Sequence, residues 1–114
     1  MREARESDFF VEVDAVGKFR FGRRTFADRA KIRAEFIGYT QDVGEGDPEL
    51  TAYASIMAAH KVLCVEAPEG WADMDNLDLT VNSEEKVFEL YAALRDVEER
   101  FRQGAIKVGK TARA

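Results

Sequence analysis

His60 and Cys64 stand four residues apart in an alanine-rich stretch, the spacing at which two side chains share one face of a helix. A thiol beside an imidazole can act as a nucleophile with its base, and the same two groups can supply two metal ligands. Either chemistry is only half built. The chain has one histidine and one cysteine, so no further soft ligand completes a zinc shell, and nothing nearby signals an oxyanion site. The pair reads as a satisfied, partly buried histidine and an inert small apolar residue. Glu66, Glu69, Asp73, Asp75 and Asp78 could gather around calcium, but they lack the alternate carboxylates, central glycine and closing glutamate of an EF-hand loop. They read as a solvated acidic loop. Gly17, Gly22, Gly44 and Gly46 match neither a phosphate-binding loop nor a dinucleotide fingerprint. No catalytic residue, metal ligand or cofactor is assigned, and no enzyme is expected.

What remains is a basic, phenylalanine-rich opening on an acidic chain. From Lys18 to Arg33 the basic residues are Lys18, Arg20, Arg23, Arg24, Arg29, Lys31 and Arg33, against Asp28 alone, while the whole chain carries a net charge of −5. Arg20, Arg23 and Arg24 beside Phe19, Phe21 and Phe26 suit three purposes. They could receive an acidic partner surface, or stack on and pair with single-stranded nucleic acid. Alternatively, the phenylalanines are core and the arginines neutralise the chain's own middle, which from Ala34 to Glu99 holds sixteen acidic residues and three basic ones. A net negative charge argues against nucleic acid as the main partner.

The elements that position these residues follow from periodicity. Residues 1–8 are charged and aperiodic, which reads as a frayed terminus. Phe9, Val11 and Val13, then Phe19 and Phe21, alternate with polar residues at the period of half-buried strands. A hairpin over residues 9–22 is expected, turning at Asp14-Ala15-Val16-Gly17 with Gly17 at positive φ. Thr25, with Asp28 three residues on, caps a helix over about 25–39 whose stripe is Ile32, Phe36 and Tyr39. Asp47 ahead of Pro48 starts a second helix, about 48–65. A loop punctuated by Trp71, Met74, Leu77 and Leu79 follows. Asn82 or Ser83 then caps a third helix, about 83–103, with Val87, Leu90, Leu94, Val97 and Phe101 as its seam and Gly104 as its stop. Residues 105–114 read as a disordered basic tail.

The expected fold is α+β: one domain over residues 9–104, an N-terminal β-hairpin followed by three packed helices, mostly helical. The 114 residues with 46% apolar content suit a single core that buries roughly 65% of the unfolded chain's surface. No run approaches the ~18 apolar residues of a membrane span. A lone cysteine and the lack of a leader pattern suggest the cytoplasm.

The runs Phe10-Val11-Glu12-Val13-Asp14-Ala15-Val16-Gly17-Lys18-Phe19-Arg20-Phe21-Gly22-Arg23-Arg24-Thr25 and Lys61-Val62-Leu63-Cys64-Val65-Glu66-Ala67-Pro68-Glu69-Gly70-Trp71, with the closing Glu99-Arg100-Phe101-Arg102, resemble the tail assembly chaperones of long, flexible-tailed siphovirus bacteriophages. The resemblance spans Phe10 to Gly104. It implies a non-catalytic protein of the host cytoplasm, absent from the finished virion, that coats the phage tape measure protein and keeps it soluble while tail tube subunits are recruited. In many members of that family a ribosomal frameshift yields a longer form whose extra domain contacts the tail tube protein, and Gly109-Lys110 is compatible with a slippery codon pair. Self-association would suit such a role. The expected partner surface is Phe19, Arg20, Phe21, Arg23 and Arg24, or the helical stripe Val87, Leu90, Leu94 and Phe101, used as a helix-in-groove contact. The alternative is a small nucleic-acid-binding regulator using the basic aromatic segment.

Overall fold

The hairpin forms where alternation demands it. Strand β1 (Phe9–Val13) pairs antiparallel with β2 (Gly17–Phe21), placing Phe9 opposite Phe21 and Val11 opposite Phe19. This computed structural model describes residues 2–41 and 46–113, with side chains described as far as 105. Between the strands Gly17 sits at φ 137°, as expected, and a Cβ there would also meet Pro68 Cγ at 2.9 Å. Ala15 takes the left-handed conformation too, at φ 65°.

Helix α1 (Phe26–Thr40) begins with a full capping box: Asp28 N–H donates to Thr25 Oγ1 and Thr25 N–H donates to Asp28 Oδ2. Helix α2 (Pro48–Leu63) begins at Asp47, whose carboxylate accepts from the N–H groups of Glu49 and Leu50. Helix α3 (Glu84–Arg113) starts after Ser83, whose hydroxyl accepts from Glu85 N–H. The fold is α+β, with a three-stranded antiparallel sheet in the order β1-β2-β3 and three helices.

Three elements differ from the sequence reading. The second helix ends at Leu63, and Cys64–Glu66 form β3 on the free edge of β2, with Arg20 opposite Glu66 and Gly22 N–H donating to Leu63 O at 2.8 Å. A short apolar run such as Val62-Leu63-Cys64-Val65 suits either a helix or a strand, and an open edge of backbone donors and acceptors decides for the strand. Helix α3 runs through Gly104 to Arg113 in place of a basic tail, because one glycine costs a helix only about 1 kcal/mol. The third difference is the N-terminus, which is tied down. Arg2 Nη1 donates to Asp28 Oδ1 at 2.6 Å and Nη2 to Arg23 O at 3.3 Å. The Arg2 guanidino group occupies the place a Cβ on Gly22 would take. Asp8, with its side chain 1% exposed, accepts from Arg20 Nε and from Arg5 N–H.

The core lies between the sheet and helices α2 and α3. Phe9, Val11, Val13, Phe19 and Phe21 pack on Ile56, Ala59 and Leu63 of α2 and on Leu90 and Leu94 of α3, with Trp71 and Met74 closing one end. Helix α1 lies outside, on α2.

Arg2 and Asp28 form a largely buried pair, with side chains 10% and 5% exposed, so removing one partner strands a charge. Arg2→Ala is expected to lower stability by about 3 kcal/mol in urea unfolding. A loss below ~0.5 kcal/mol, the size of an ordinary surface change, would return residues 1–8 to the status of a frayed terminus. Burial raises the Asp28 pKa, but the Arg2 hydrogen bond and the backbone and hydroxyl of Thr25 outweigh it and bring the pKa from 3.8 down to about 2. The folded state therefore holds the ionised form more strongly than the unfolded chain does. The contribution, on the order of 2 kcal/mol, is complete above about pH 4 and is lost as pH falls through about 2. Asp28→Asn should flatten the stability profile in that window; an unchanged profile would show that Asp28 is not the titrating group.

Candidate functional site

Neither half of the His60 and Cys64 pair is free for chemistry. Both lie on the inner side of α2 and its exit into β3, and both are buried. His60 Nε2 lies 2.8 Å from Trp71 O, and since a carbonyl only accepts, that nitrogen carries the proton. The ring stands edge-on to Phe19 and Phe21, with centroids 6.2 and 5.8 Å away. Burial lowers its pKa below the usual 6.5, against the raising effect of the Trp71 carbonyl, so it is neutral at pH 7. Burial pushes the Cys64 thiol up to about 11, and Sγ donates to Glu66 O. His60 is thus a peg holding the Trp71 loop against the sheet. Among the described residues no group of three His, Cys, Asp or Glu side chains could hold a metal.

The basic aromatic segment is divided by its alternation. Phe19 and Phe21 are 0% exposed, so they are core and not a surface for a partner. Arg20 pairs with Asp8 at 3.0 Å and Glu66 at 3.8 Å. Arg24 makes a two-pronged contact with Glu98 of α3, Nε to Oε2 and Nη2 to Oε1, each 3.1 Å. Arg23 lies with Cζ 3.7 Å from the centroid of the Phe101 ring, and that ring meets Phe9 edge-on at 5.2 Å. Arg23 and Arg24 fasten α3, at Phe101 and Glu98, to the segment that follows β2. Neutralisation of the chain's own acidic residues describes Arg20 and Arg24, while Arg23 is held by an aromatic ring. The expected helical stripe is also inward: Leu90 and Leu94 are each 2% exposed, and Val87 and Phe101 are half-buried against the core. Of the nine residues expected to contact a partner, Phe19, Phe21, Leu90 and Leu94 are therefore closed to one, and Val87 remains at an open edge.

That edge belongs to a groove of about 420 Å³ between α2, the loop before α3, and the first turn of α3. Ile56 and Met74 form its floor. Leu50, Tyr53, Met57, Leu77, Leu79 and Val87 form its walls. Leu79 is 59% exposed and Val81 80%. Phe88, also exposed, packs on Tyr53 with centroids 5.8 Å apart. The rim is acidic. Tyr53 OH faces both Glu49, at 2.7 Å, and Glu84, and its single proton serves only one carboxylate at a time. These hydrogen bonds raise the Tyr53 pKa. Asp75, which also lines the groove, accepts from Tyr39 OH at 2.7 Å. Among the described residues, Glu49, Glu84 and Asp75 make no ion pair, whereas Asp8, Asp28, Glu66 and Glu98 around the basic segment all do.

A second depression of about 520 Å³ separates α1 from α2 and α3, lined by Phe26, Arg29, Arg33, Phe36, Ser55 and Tyr91 among others. Phe26 there is 90% exposed. No helix of the described residues is long and apolar enough to cross a membrane. No protein-family model, curated protein or solved structure matches the chain.

Sequence reasoning missed the groove because its three walls are distant along the chain. Its signal was present in the loop, where Leu77 and Leu79 recur among aspartates without a helical or strand period. For the thiol, the placement predicts that native Cys64 reacts with Ellman's reagent only as fast as the protein opens. Equal rates for the native and the urea-unfolded protein would contradict its burial.

Proposed function

We propose that this protein is a non-catalytic phage tail assembly chaperone that binds the tape measure protein, keeps it soluble and helps recruit tail tube subunits. The observation that carries the reading is the open apolar groove lined by Leu50, Met57, Leu77, Leu79 and Val87, with Leu79 59% exposed, since exposed apolar surface beside a well-filled core marks a binding site. It is supported by the resemblance of the Phe10 to Thr25 and Lys61 to Trp71 runs to that chaperone family. It is further supported by the structural use of His60 and Cys64, whose Nε2 and Sγ bond to the backbone carbonyls of Trp71 and Glu66. A holder of helical client needs a groove more than it needs reactive groups, and helix-in-groove docking is the mode such a surface suits. Under this reading the protein acts in the host cytoplasm and stays out of the mature virion. The tail tube protein is met through a frameshifted longer form.

The second reading, a small nucleic-acid-binding regulator, is favoured by one observation: Phe26, Arg29 and Arg33 line one surface depression, and Phe26 is 90% exposed. Stacking on Phe26 with arginine contacts to phosphates would give an affinity that falls steeply with salt.

Co-expression with the tape measure protein encoded in the same genome separates the two. Under the chaperone reading the client becomes soluble and co-purifies. Insoluble, unbound client, together with salt-sensitive binding of a labelled oligothymidine that Arg29→Glu abolishes, would replace it with the regulator. Reversing Arg23 and Arg24 is a poor probe of the client surface, because their contacts with Phe101 and Glu98 hold α3 in place. Leu79→Glu is the better probe, and its urea midpoint should match the parent.

A further inference from the structure

The rim of the groove specifies the charge of what enters it. Among the described residues, Glu84 and Asp75 are its only ionisable side chains apart from Tyr53, and no lysine or arginine lines it. Glu49 adds a third carboxylate through Tyr53 OH. One tyrosine proton between two carboxylates leaves the negative charge at that corner unneutralised. Elsewhere several arginines pair with the chain's own acids, as Arg24 does with Glu98 and Arg2 with Asp28. Among the described residues this rim is supplied with none. Its floor and walls are aliphatic and thioether side chains, Leu50, Ile56, Met57, Met74, Leu77 and Val87. Methionines suit a surface that adapts to a helix's ridges.

We infer that the groove between α2, the Leu77 to Leu79 loop and the start of α3 is a docking site for a basic amphipathic helix of a partner protein, with apolar residues seated on Met57, Met74 and Val87 and flanking lysines or arginines paired with Glu49, Asp75 and Glu84. The charge complementarity carries the choice of occupant: an acidic helix would meet like charges at Asp75 and Glu84, and an uncharged one would leave them unpaired. The inference deepens the chaperone reading and rests on it only for the source of the helix, a segment of the client.

The probe is a fluorescein-labelled peptide of about four helical turns, with leucines at i, i+3, i+4 and i+7 and lysines and arginines on both flanks. Its partner is the same peptide with glutamate for every basic residue. Fluorescence anisotropy with the full chain should show saturable binding of the basic peptide, at least tenfold weaker on Leu79→Glu, several-fold weaker on Glu84→Gln, and weakened by added salt. The glutamate peptide should not bind. Circular dichroism and the urea midpoint of Leu79→Glu should match the parent, since that side chain is 59% exposed. Equal binding of the two peptides, or unchanged binding by Leu79→Glu, overturns the inference. Sedimentation of the chain alone should show a monomer; a dimer dissolved by Leu79→Glu would assign the groove to a second copy and overturn it as well. In the co-expression assay, client held soluble by parent and Leu79→Glu alike sinks the groove and leaves the chaperone reading standing. A bound basic peptide with insoluble client sinks the chaperone reading and leaves the groove.

Discussion

Five side chains on one face of a small sheet, Phe9, Val11, Val13, Phe19 and Phe21, must leave water, and the rest of the molecule is arranged to let them. Each is worth roughly 1.5–3 kcal/mol when fully buried, but a three-stranded sheet cannot bury its own face. Helices α2 and α3 supply the cover, and Trp71 closes the end, edge-on to Phe19 at 5.7 Å between centroids. His60 is the one polar ring in that layer. Its bond to the Trp71 carbonyl satisfies a group that would otherwise be costly to bury, and it fixes the loop from which the groove is built.

Charge is distributed to match. Arginines on the sheet and in the segments flanking it reach acids of distant segments: Arg20 to Asp8, Arg24 to Glu98, and Arg2 across Gly22 to Asp28. Two of these contacts fold the first eight residues onto the body, and the third holds α3 to the hairpin. Such pairs gain little at an open surface but more when partly desolvated, as Arg2 and Asp28 are. The acidic residues near the other end of α2 have no such partners among the described residues. The same chain thus has an internally neutralised side and an acidic, apolar side, and the proposed client contact falls on the second.

Much of the fold was legible because local signals agreed with one another. Period-two alternation from Phe9 to Phe21 specified the hairpin, and Thr25 with Asp28 and Asp47 with Pro48 marked helix starts within a residue. Strand β3 was not legible: Cys64 and Val65 extend the apolar run of α2, and they become a strand only because β2 presents an unpaired edge. The tether of the N-terminus was hidden for a similar reason, since Arg2 finds its acid 26 residues away.

For the candidate site the division is sharper. The sequence by itself determined which residues lie on opposite faces, Phe19 and Phe21 against Lys18 and Arg20, because a strand's side chains alternate whatever surrounds it. It also determined that the chain holds one histidine and one cysteine, four residues apart. Only the tertiary structure decided which face was covered, and so turned the phenylalanines and the Leu90 and Leu94 seam from candidate surface into core. The groove was decided there too. Leu50, Leu79 and Val87 belong to three segments with no shared local pattern, and they become neighbours only after α2 and α3 have closed over the sheet.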